Sequence, residues 1–190
     1  MKLLNFILLI LTFLSGCAGV GMVYSSDPNQ KLENAAVLNN QQNRPLAAKR
    51  LILEVISTCE ESKDRICTAK AWVQYGFLLR SESAGRWEQE HGKGAFPDNR
   101  YDESAKYFEK AATTFVELKI YDKATHAYYN QGISFELAGR KTEACTSYSK
   151  SLDTYKQNIA QNPNAKPFVP SGFSNYEDFI DSEKKRASCK

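Results

Sequence analysis

The side chains in this chain that could do chemistry are few: five cysteines, the two histidines His91 and His126, and carboxylates scattered along its length. A thiol can serve as nucleophile, metal ligand, disulfide partner or lipid attachment point, and its surroundings decide which. Zinc binding is disfavoured because Cys59 and Cys67 have no closely spaced Cys or His to complete a ligand set. Glu88, Glu90 and His91 gather in SESAGRWEQEHGKGAFPDNR, but neighbouring positions in a stretch without a regular period define no coordination geometry. Glu60 and Glu61 sit in a turn-like segment, where solvated charge is the default. There is no Gly-x-Ser-x-Gly elbow, His-Glu-x-x-His helix or phosphate-binding glycine loop. The expectation is a protein that is not an enzyme and uses no cofactor or metal.

The N-terminus suggests an address. Lys2 gives a positive start, and Leu3 to Leu14 is an apolar run broken only by Asn5 and Thr12, too short to span a bilayer and shaped like a secretory signal. It ends in Leu14-Ser15-Gly16-Cys17, which resembles the lipobox of bacterial lipoproteins. That resemblance implies a signal peptide over 1–16 and a mature chain starting at lipidated Cys17, held in the membrane by several acyl chains. Ala18 rather than Asp follows the cysteine, which by the sorting rule of enteric bacteria implies the outer membrane, on its periplasmic side.

Export bears on the other thiols, because the compartments outside the cytoplasm permit disulfides. Cys59, Cys67, Cys145 and Cys189 allow three pairings. Cys59 and Cys67 flank what reads as the turn between two helices, so the expected pairs are Cys59–Cys67, clamping a hairpin, and Cys145–Cys189, tying down the C-terminal segment.

The elements that position these residues read as helices. In YYNQGISFELAGRKTEACTSYSKSL, Tyr128, Gly132 and Phe135 share a face, Gly139 reverses the chain, and Ala144, Tyr148 and Ser151 mark the inner face of a second helix. The stretch resembles a tetratricopeptide (TPR) repeat, in which small residues let two helices approach and large ones fill the space beside them. It departs in having Ser151 where the motif prefers Ala. A second start lies at Trp72, Tyr75, Gly76 and Leu79, with Ser104, Phe108 and Ala111 as its partner helix. The small-to-small distance is 144 − 132 = 12 in one repeat and 104 − 76 = 28 in the other, so about sixteen residues are inserted. The expected fold is all-α: TPR-like antiparallel hairpins of about five to six helices in a short solenoid.

Residues 17–44 are polar and poor in aromatics, which suggests a flexible tether, with some helix near Gln30 to Leu38. The domain is then expected over 45–190, with an inserted loop at 81–100 and a capping helix over 174–189, where Ser174 and Glu177 suggest a capping box. The net charge is +3, and the Lys184-Lys185-Arg186 cluster suits the last turn of a helix better than a nucleic-acid surface.

A TPR-like fold implies binding of a protein partner. The resemblance places Val73, Phe77, Tyr129 and Ile133 on the concave face as an apolar stripe, suited to an amphipathic helix. Trp87 and Phe96, in the insertion, are the competing anchors. The leading expectation is an adaptor lipoprotein of the periplasm. The alternative is an immunity lipoprotein that neutralises a type VI secretion effector such as a phospholipase, with the insertion as a plug.

Overall fold

The computed structural model describes residues 25–164 and 169–189. The expected signal peptide, Cys17 and the first part of the expected tether lie outside them. The described residues form eight helices and no strand: α1 (Pro28–Asn40), α2 (Pro45–Glu61), α3 (Arg65–Arg80), α4 (Glu82–His91), α5 (Arg100–Glu117), α6 (Tyr121–Leu137), α7 (Lys141–Gln161) and α8 (Tyr176–Arg186). The fold is all-helical. Two helices exceed the expected six: α1 covers and extends the helix expected near Gln30 to Leu38, and α4 corrects the reading of 81–100 as a loop.

Helix α1 begins where the side chain of Asp27 accepts from the Asn29 amide and Pro28 supplies a preset first turn. Leu32, Ala35 and Leu38 are then buried against α2 and α3. Residues 28–40 are therefore part of the domain core and not tether. Helix α4 begins at Ser81, whose hydroxyl accepts from the Ala84 amide at 3.1 Å, and Ala84 is buried. The expected loop over 81–100 is thus a ten-residue helix followed by a short connection. Arg100 holds it in place, donating to the carbonyls of Leu79 and Ser81 at 2.9 and 3.1 Å and facing Glu88.

The remaining helices pack in chain order. α2 lies between α1 and α3, α3 against α5, α5 between α3 and α6, and α7 between α6 and α8. Two glycines set the closest approaches. A Cβ on Gly76 would stand 2.9 Å from the Phe108 ring, and one on Gly132 only 2.5 Å from the ring of Tyr148. Ser104 occupies a similar crowded place, donating to the Gly76 carbonyl at 2.7 Å and bonding the Ser134 hydroxyl. Ser151 donates to the Thr125 carbonyl at 2.8 Å and meets the Tyr176 hydroxyl, so its hydroxyl has work that alanine could not do.

Three turns share one geometry. Lys63, Lys119 and Gly139 have φ of 58°, 58° and 77°, and the next amide bonds the carbonyl five residues back: Asp64 to Cys59, Ile120 to Phe115 and Arg140 to Phe135. This left-handed stop satisfies the last helical carbonyls. The two expected cysteine pairs are at disulfide distance, each with Cα atoms 5.7 Å apart. Cys59–Cys67 staples the α2–α3 turn, and Cys145–Cys189 fastens the residues after α8 to α7. The cap of α8 is Asn175 rather than Ser174: its side chain accepts from the Asp178 amide at 2.8 Å.

Candidate functional site: a groove between three helices

Helices α1, α3 and α6 line a groove of about 690 Å³. Its apolar lining comes from Leu32 and Ala36 of α1, Val73 and Phe77 of α3 and Ala127 of α6, with Phe115 of α5 behind them. Phe77 remains 36 % exposed, unusual for a large aromatic in a packed helix. Its ring meets Phe108 edge-on at 5.1 Å, which fixes its orientation without covering it. Polar side chains of both signs line the same groove, Glu33 and Lys70 on one side and Asp122 and Lys123 on the other. Such a lining can hold an apolar stripe and leave polar flanks in water.

The four residues expected to form one stripe are divided. Val73 and Phe77 line the groove, whereas Tyr129 and Ile133 of α6 pack into the cluster around α8. The Tyr129 ring lies 5.1 Å from Phe179 and its hydroxyl donates to Glu183 at 3.1 Å. Arg186 completes that contact, donating to Glu136 and Glu183 at 2.8 Å each, while Tyr148 bonds Glu136 from below. Burial and the adjacent carboxylates push the phenols of Tyr129 and Tyr148 well above their ordinary range, so both stay protonated donors. This arrangement covers the part of α6 that carries Tyr129 and Ile133. It is a capping contact, not an open surface.

The insertion is also turned inward. Phe96, expected as a partner anchor, is 4 % exposed and packs with Trp87 edge-to-face at 6.4 Å in the cluster formed by α1 to α3. Lys49 donates to the Ala95 carbonyl at 2.5 Å and holds this connection down. Trp87 is half-buried and stacks on His91 at 4.7 Å. Phe96 is therefore turned into the core, whereas Trp87 stays part-buried and lines a small hollow with Asn43, Arg86 and Glu90.

Arg80 was not singled out by the sequence reading. It lies at the end of α3, half-buried, donating to the backbone and side-chain oxygens of Asn130 at 3.0 and 2.7 Å. Its guanidinium sits over Phe77 and Phe108, 5.2 and 5.4 Å from the ring centroids. Burial lowers its pKa, but an arginine remains charged. Among the described residues no group of three or more His, Cys, Asp or Glu could hold a metal ion, and no helix is long and apolar enough to cross a membrane. Comparison of the chain with protein-family models, curated proteins and solved structures returns no match.

Proposed function

We propose that this protein is an outer-membrane lipoprotein that acts as a TPR-like adaptor in the periplasm, binding a partner protein through the groove of α1, α3 and α6. The observation that carries the reading is the groove itself: an exposed Phe77 and a part-buried Val73 line one hollow with side chains of both charge signs. An amphipathic helix of the partner fits it, burying an apolar face on Phe77 and leaving polar edges to Lys70 and Asp122. In this reading α1–α2, α3–α5 and α6–α7 are three TPR-like hairpins, α4 is an insertion and α8 is the terminal cap such arrays require. The lipobox-like Leu14-Ser15-Gly16-Cys17 supplies the anchor.

The test is a photo-crosslinking residue placed at Phe77 and, as a control, at Leu53, an exposed apolar residue that does not line the groove. A discrete partner adduct at 77 and none at 53, lost when Val73→Lys is added, supports the reading; equal labelling at both sites rejects it. Cys17→Ser checks the anchor, and unchanged membrane partition in that variant would reject lipidation. The alternative, an immunity role, would use the insertion, of which Phe96 is buried while Trp87 lines a hollow at the surface.

A further inference from the structure

The groove does not end at Phe77. Ala36, Gln74 and Phe77 also line a second hollow of about 550 Å³, which continues between the C-terminal ends of α1 and α3 and the first turn of α4. Its chemistry differs from that of the apolar groove, because Asn39, Asn43, Arg80, Ser83 and Arg86 contribute to its walls.

Two of these side chains lack the partners their environment calls for. A guanidinium carries five N–H donors, and Arg80 uses two of them, both on Asn130. No carboxylate among the described residues forms an ion pair with it. Aromatic faces ease the burial of such a charge but do not replace a counter-ion. Ser83 is 6 % exposed, and its Oγ is the one buried side-chain oxygen or nitrogen among the described residues with no hydrogen-bond partner. Arg80 thus lines the hollow with donors to spare, and a ligand entering it can supply the acceptor they lack. Arg86 adds a second cation, bonded to the Asn43 side chain at 2.6 Å. Ser83 also belongs to the first turn of α4, where the helix dipole favours negative charge.

We propose that this hollow receives a carboxylate, an Asp or Glu side chain carried by the same protein segment that lays its apolar face on Phe77. The proposal rests on the adaptor reading and specifies its ligand: an apolar stripe followed by one acid. Counting Arg80 and Arg86 against Glu82, which lines the same hollow, the charge is 2 − 1 = +1. That balance suits a monoanion better than a phosphate dianion, which would meet Glu82 with more repulsion. Continuity with the apolar groove favours a side chain of the docked segment over a lipid headgroup arriving from elsewhere.

The probe is a pair of fluorescein-labelled helical peptides, alike in a Leu- and Ala-rich face and differing by one Glu or Gln in the last turn. Anisotropy titrations use the full-length chain in zwitterionic micelles, where micelle partition is shared by the pair and cancels in their ratio. The expected result is binding of the Glu peptide about tenfold tighter than the Gln peptide. Arg80→Gln should shrink that preference to less than about twofold while the Gln peptide binds as before. Should Arg80→Gln lose helicity, Arg86→Gln, which alters an exposed group, decides in its place. Equal affinity of the two peptides, or a preference that survives these substitutions, overturns the carboxylate site and leaves the groove standing. Tighter binding of a phosphoserine twin than of the Glu peptide overturns it in favour of phosphate. Failure of every peptide, or binding unaffected by Phe77→Lys, overturns the groove and this proposal together.

Discussion

The hairpins α3–α5 and α6–α7 are built alike and finished differently. Each brings a glycine of its first helix under an aromatic ring of its second, Gly76 under Phe108 and Gly132 under Tyr148. Yet the outward face of α3 stays open at Phe77, while the matching face of α6 is covered where Tyr129 meets Phe179 and Glu183. The same backbone approach therefore serves two ends. What separates the open face from the buried one is the element that comes next in space, since α8 covers one while the other borders the groove between α1 and α6.

Removing the cross-link at the covered end tests this most strongly. In the chain-entropy account Cys145→Ser/Cys189→Ser loses about 4 kcal/mol, and Cys59→Ser/Cys67→Ser about 2.5 kcal/mol, because the first closes a far longer loop. Urea titration of the two double variants reads the difference, and equal midpoints would contradict it.

Overpacking comes next. Gly132→Ala drives a Cβ into Tyr148, a fully buried ring whose hydroxyl is tied to Glu136, so it should cost about 3 kcal/mol; Gly76→Ala, against Phe108, should cost about 1–2 kcal/mol. Thermal melts that rank them the other way would show that Phe108 is the less yielding ring.

A smaller effect appears at high pH. Burial pushes the phenols of Tyr176, on α8, and Tyr75, on α3, up to about 12, above their ordinary value of about 10. The folded state thus holds these protons more tightly than the unfolded one, so stability is full below about pH 10 and falls as the pH climbs toward 12. Tyr176→Phe should flatten that alkaline loss at the capped end, at a cost near neutrality of about 1 kcal/mol for the lost bond to Ser151. An alkaline limb identical to wild type would refute the assignment.

The smallest change is a gain. Lys119→Gly relieves a side chain held at a φ of 58° and should stabilise by about 0.5–1 kcal/mol, unlike substitution of Gly139, which already occupies the equivalent turn. Denaturant midpoints of the two variants settle the sign.

The part of this architecture legible in the sequence was the part that glycine and aromatic residues punctuate. Gly76, Gly132, Phe108 and Tyr148 mark where helices must touch, and both cysteine pairs followed from the turn and the C-terminal segment they fasten. Some helix near Gln30 to Leu38 was legible, but its place in the core was not, because its buried stripe is thin: Leu32, Ala35 and Leu38 lie among Asn, Gln and Lys, and tertiary packing supplies the stability that composition does not suggest. A signal was nonetheless present, for Ala36 and Ala48 repeat the spacing of Gly132 and Ala144, 48 − 36 = 12. Helix α4 likewise announced itself through Ser81 as cap and Ala84, Trp87 and His91 at helical steps. In the groove, Val73 and Phe77 were readable from their place on α3. Arg80 was not, because nothing local marks a cation whose neighbours are Asn130, on another helix, and the turn into α4.

The large contacts in this fold join helices that are neighbours along the chain, except that α3 meets α5 across the short α4. Topologies of that kind keep contacting residues close in sequence, so the search for native pairings is short and folding is fast. The order of events follows from the same fact: each hairpin can close as soon as its own two helices have emerged, without waiting for distant segments. Cys189 comes after α8, so its bond to Cys145 closes the chain over that helix and keeps α8 against Tyr129 and Ile133.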